Sequence, residues 1–184
     1  MAIDAITAME FMIAKEVDGR KTKVMNIGSI HGGEVPNVMC DHVSMKGTLR
    51  TWDDDVSEYV MRRLGEICNG VATQAGGTAK FDHYKHMPYI LADGVIQQKL
   101  RKTAAGIVPE DKLIHWPRTM GGEDYAYLSR LKPCGHFKAG IKPHDMESKN
   151  AAHSTTFVLD SGVFAPAVDM FVNFVLENQD GIEF

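Results

Sequence analysis

The sequence predicts a mixed α/β protein whose first half is a small α+β unit, and three observations carry that prediction. Apolar residues recur at helical spacing in the first 16 residues and again from Val56 to Val71. Between those two runs, His42 to Arg50 alternates with a period of two: Val43, Met45, Gly47 and Leu49 against Ser44, Lys46, Thr48 and Arg50. The resulting order of helix, strand, strand, helix, strand is the split βαββαβ motif without its first strand. On this reading the chain begins inside a domain and leaves a sheet edge open to a partner.

Taken in order, Ile6, Met9, Ile13 and Val17 predict an amphipathic helix from Asp4 to Glu16, stopped at Asp18-Gly19. Lys23 to Ile30 reads as a strand, and a polar, Gly-rich bend leads to the second strand. Asp53-Asp54-Asp55 offers an N-cap, and Asp55 with Glu58 has the spacing of an acidic capping box. The next helix presents Val56, Val60, Leu64, Ile67 and Val71 on one stripe and stops at Gly76-Gly77. Ala79 to Tyr89 is a third strand, and a boundary near Met87 to Asp93 divides the chain into residues 1–90 and 91–184. In the second half a helix is predicted from Asp93 to Ala105, with strands at Leu113 to Trp116 and His136 to Ile141. A helix start follows Met120, with Glu123 and Asp124 in its first turn. A polar loop spans Lys142 to Asn150, and a last helix from Gly162 to Asn178 turns Phe164, Val168, Phe171 and Val175 inward.

Composition narrows the function. The 184 residues are 44% hydrophobic and 24% charged, as expected of a globular chain able to bury a core. A net charge of -4 without any Lys/Arg block argues against nucleic acid or an anionic membrane as partner. The N-terminus lacks a basic n-region, and no apolar run reaches membrane-spanning length. Cys40, Cys68 and Cys134 are odd in number and widely spaced, which predicts neither a disulfide framework nor a CxxC metal knot and points to the reduced cytosol. The eleven methionines are expected to fill core gaps.

Several residues are chemical candidates, each beside an ordinary alternative. Ile27 to Arg50 gathers His31, Asn37, Asp41 and Arg50 around a bend. His31 before Gly32-Gly33 suits a base near a closely approached ligand, or simply a flexible turn. Asn37 and Arg50 suit a carboxylate clamp, or a turn Asn and a solvated strand Arg. Glu123-Asp124 behind Gly121-Gly122 is an acid pair at a cleft, or a helix cap. His153 is a metal ligand or an exposed loop histidine, and Asp160 is a weak candidate to orient it. His83 and His86 point to opposite faces of a strand and make a poor ligand pair. No H-E-x-x-H, G-x-S-x-G, phosphate-binding loop or dinucleotide fingerprint is present.

Three ordered motifs change the weights: G-S-I-H-G-G-E-V-P-N-V-M-C-D-H-V-S-M-K-G-T-L-R-T at Gly28 to Thr51, M-G-G-E-D-Y-A-Y at Met120 to Tyr127, and H-S-T-T-F at His153 to Phe157. Together they resemble the metal-dependent amidohydrolases of the hippurate hydrolase and N-acyl-amino-acid aminoacylase type. That resemblance implies a ferredoxin-like lid and dimerisation domain lacking its first strand, then the C-terminal α/β part of a metallopeptidase-type catalytic domain. It implies two divalent metals, Zn or Mn, hydrolysis of the amide of an N-acyl amino acid or small peptide, and a homodimer made through the lid. His153 matches the last metal ligand, Asn37 and Arg50 match residues that hold the substrate carboxylate, and Gly121 to Asp124, Gly122 and Glu123 among them, match a stretch near the substrate cleft. His31 falls to a supporting role in substrate binding. The family's other metal ligands and its glutamate base have no counterpart here, and Thr155 stands where proline is usual. The chain by itself is therefore expected to be inactive and to bind metal poorly, as the lid and C-terminal portion of such an enzyme or as a non-catalytic dimerisation module.

Overall fold

The computed structural model describes residues 1–84, 87–143 and 152–182, arranged in two compact units. The first comprises Met1–Tyr89 with Arg118–Ala126, and the second Ile90–Pro117 with Tyr127–Phe184.

The first unit is built on helix α1 (Ala2–Lys15), strands β1 (Lys23–Gly32) and β2 (Val43–Thr51), and helix α2 (Asp54–Gln74). Of the stripe foreseen on α1, Met9 and Val17 are buried and Ile6 and Ile13 half-buried; the face that meets Val60 and Leu64 of α2 is centred instead on Ala5, Met9 and Met12. Met25 and Ile27 of β1 and Met45 and Leu49 of β2 close that core from the sheet side. Unbranched methionine side chains fill much of this interface, Met12 being 1% exposed. The two strands pair antiparallel, with Val24 opposite Arg50 and Asn26 opposite Thr48, and the register shifts at Gly28 between Ile27 and Ser29. Because strand side chains alternate, packing Leu49 on the helices turns Arg50 to the open face.

Two expectations fail in this unit. Asp53 caps α2 through its carboxylate, which accepts from Val56 N at 3.1 Å, so the Asp55–Glu58 capping box is not used. The described residues of Ala79 to Tyr89 make no ladder. Phe81 instead packs on the helical core, and a Cβ at Gly65 of α2 would come 3.3 Å from its ring. Alternation shows which face of a segment is apolar, and says nothing of whether a neighbouring strand is present to pair with it.

The second unit rests on α3 (Gly94–Ala105) and α5 (Phe164–Glu177), with the single-turn α4 (Tyr125–Leu128) between them in sequence. Ile96 and Leu100 of α3 meet Met170 of α5, supported by Phe137, Phe174 and Ile182. Asp93 caps α3 by accepting from Val95 N and Ile96 N. The hydroxyl of buried Thr103 donates to Glu177 Oε2 at 2.5 Å, with Lys99 O as a more distant alternative acceptor at 3.2 Å, tying the two helices.

Neither strand expected in this unit forms. His136 has its main-chain N–H and C=O both engaged by Gln97, at 3.0 and 2.8 Å, which leaves that residue nothing to offer a ladder. A lone parallel bridge, Ala92 with Cys134, stands nearby. Leu113 N is taken locally by Glu110 O. The face of α5 also differs: Phe164, Val168, Phe171 and Val175 are 57 to 66% exposed, while Met170 and Phe174 face α3. This helix is apolar on two sides, and periodicity alone does not choose between them. The polar loop foreseen at Lys142 to Asn150 falls mostly outside the described residues, as does His86.

Candidate functional site

The period-two pattern of β2 sets Arg50 on the open face of the sheet, and the structure gives it a partner 70 residues away. Its Nη1 donates to Met120 O. Two residues along, the guanidinium of Arg118 lies 5.5 Å from the centre of the Trp52 ring. The Gly121-Gly122 pair comes directly after Met120, and a Cβ at Gly122 would come 3.0 Å from Met87 Sδ, so this close approach suits glycine. Glu123 O then accepts from Ala126 N at 3.1 Å and opens α4, which begins at Tyr125 and leaves Glu123 and Asp124 ahead of it instead of within a helical turn from Met120. Two cationic side chains, an indole and an acid pair thus belong to one unit of the fold.

Arg50, Gly122 and Glu123 are brought into this region. His31 is exposed on β1 opposite Ser44, and Asn37 lies in the turn of the β1–β2 connection, where Val38 N bonds Val35 O at 3.4 Å. Gly33 in the same connection has φ +78°, a backbone that L side chains rarely adopt. Asp41 is exposed beside Cys40, whose thiol reaches His42 O at 2.7 Å. Trp52, Arg118 and Met120 were not singled out from sequence. Trp52 was accessible to that reasoning, standing two positions after Arg50, whereas the other two are placed by tertiary contact.

His153 belongs to the second unit, is exposed, and adopts φ +68°, a left-handed conformation uncommon outside glycine. Asp160 Oδ1 accepts from Gly162 N at 2.8 Å, which caps the turn into α5. His83 stacks with Phe81, ring centres 6.1 Å apart. Among the described residues no three His, Cys, Asp or Glu side chains are grouped as a metal site. By themselves the described donors do not make up a divalent metal centre.

Residues 1–75 match the family described as the peptidase dimerisation domain. The stretch of the first unit from α1 through α2 is thus similar to a peptidase dimerisation domain. Across both units the chain is similar to an uncharacterised hydrolase of Sinorhizobium fredii at 28% identity, over 95% of this chain and 45% of that protein. An IAA-amino acid hydrolase of Arabidopsis thaliana is 23% identical over 86% of this chain and 35% of its own length. Among solved structures, a dinuclear metal-binding peptidase of Bacillus subtilis superposes with a TM-score of 0.68 at 21% identity, over 96% of this chain and 47% of the other. The mixed α/β class and the resemblance to amidohydrolases both stand on these matches. The chain spans less than half the length of each of these relatives. Among the described residues no helix is long and apolar enough to cross a membrane.

Proposed function

We propose that this chain is the dimerisation lid and C-terminal portion of a cytoplasmic, metal-dependent amidohydrolase that cleaves the amide of N-acyl amino acids or small peptides. The observation that carries the reading is Arg50: a guanidinium on the open face of the dimerisation domain's sheet, bonded to Met120 just ahead of the Gly121–Asp124 segment. A planar cation with five N–H groups, one of them spent on a neutral carbonyl, keeps its charge for a substrate carboxylate. Asn37 adds a neutral donor, Gly122 and Glu123 border the bound substrate, and His31 supports the bend. His153 would serve as one metal ligand, the others coming from residues outside the described ones. Hydrolysis on this reading belongs to an assembly larger than the 184 residues, in keeping with the 45% and 35% shares of the relatives' lengths that the chain covers.

A second reading, a dimerisation or binding module without chemistry, is favoured by one observation, the missing group of metal donors among the described residues. Assay with benzoylglycine and Mn or Zn separates the two. The chain alone is expected to be inactive, and mixing it with a matching N-terminal half from a relative is expected to give turnover. Turnover by the chain alone overturns the fragment reading. A mixture that neither turns over nor takes up metal favours the module.

A further inference from the structure

The run Arg118–Ala126 is flanked on both sides by residues of the second unit, yet it folds with the dimerisation domain. Its first residues are pinned at two alternate positions: Arg118 lies over the Trp52 ring and Met120 O accepts from Arg50. Both anchors come from the end of β2 and the residue just after it. Next in the chain is Gly121-Gly122, the pair that loses most conformational freedom when ordered and so most needs a fixed end. Met87 closes on Gly122 from the same unit.

We propose that Arg118–Ala126 is a strap of the dimerisation domain and that Arg50 is a positioning residue for it. By holding Met120, Arg50 sets where the Gly121–Asp124 segment stands, and by keeping its remaining N–H groups free of that carbonyl it offers an anion the same guanidinium. Binding a carboxylate and placing the segment are then two properties of one side chain. The carboxylate part rests on the function proposed above; the fastening of the strap does not.

Hydrogen exchange of the full chain, read on the peptide covering residues 119–124 without ligand, tests the fastening. Arg50→Ala should speed exchange there about five- to tenfold, the size expected when a charge-assisted bond to a main-chain carbonyl is lost. Arg50→Lys, which keeps a cationic donor without the planar fork, should fall between wild type and alanine, and the amides of α2 should be unchanged in both. Should Arg50→Ala disturb the whole domain, Arg118→Ala tests the other anchor, and in a Trp116→Phe background the emission of Trp52 should move to longer wavelength as its ring is uncovered. Unchanged exchange in both alanine variants, or an unprotected strap in the wild type, overturns the proposal. Titration with benzoylglycine is scored separately: failure to bind removes the carboxylate reading and leaves the strap standing.

Discussion

Asp93 and Glu16 show how much single carboxylates decide here. Asp93 Oδ1 accepts from both Val95 N and Ile96 N, covering two of the amides that the start of α3 leaves without helical partners. Asp93→Ala should therefore cost about 1 kcal/mol in urea unfolding, and Asp93→Asn, which keeps the acceptor, only a small part of that. Glu16 acts between elements. Its carboxylate accepts from Arg63 Nε at 2.7 Å and Nη2 at 2.8 Å, and from the Tyr59 hydroxyl at 2.7 Å. The Arg63 bonds first, then Tyr59, pull its pKa from the ordinary 4.5 to about 2. Between those values the unfolded chain holds a proton that the folded chain does not, so stability rises with pH across that window. Thermal midpoints should fall as pH is lowered from 4.5 towards 2, and Glu16→Gln should flatten that slope. Of the site residues, the outward placement of Arg50 was legible in the alternation of β2, whereas its bond to Met120 was not, because nothing local encodes a partner 70 positions away.

The helices and strands that were legible own their periodicity. The α1, β1, β2, α2 and α3 spans follow the apolar spacing within a few residues, because each buries one face against another element. Segments that needed a specific neighbour were not legible, and residues 136–141 show why: the main chain of His136 is satisfied by a side chain of α3. The same region carries a packing prediction. A Cβ on Gly135 would stand 2.2 Å from Leu100 Cδ1 and 2.8 Å from Ile96 Cγ2, both on the buried face of α3. Gly135→Ala should destabilise by about 1–3 kcal/mol through overpacking. Combining it with Leu100→Ala, which opens the space, should cost less than the sum of the two single changes in a double-mutant cycle. Additive effects would mean that the helix moves aside at no cost.

For the molecule as a whole, three motifs separated by tens of residues identified the relatives, because their order survives where isolated residues are ambiguous. The grouping of Arg118–Ala126 with the first unit was hidden, since composition changes nowhere along that run. The first unit also makes a prediction about assembly. Among the described residues its sheet has two strands and two edges without a further strand, and around β1 and the connection after it Ile30, Val35, Val38 and Met39 are exposed, Met39 at 93%. Main-chain donors and acceptors at a sheet edge, flanked by apolar side chains, favour pairing with a second copy. A net charge of -4 per chain opposes that only weakly at physiological salt. Sedimentation equilibrium at tens of micromolar should thus report a species of twice 20.4 kDa. Ile30→Glu places a carboxylate within the apolar patch, where desolvation without a partner weakens association by about tenfold or more, while the far-ultraviolet circular dichroism stays that of the wild type. A monomer at all concentrations would remove the homodimer and leave the amide-hydrolysis reading to its own assay. A dimer indifferent to Ile30→Glu would move the contact away from β1, to the outer edge of β2 or to the helices.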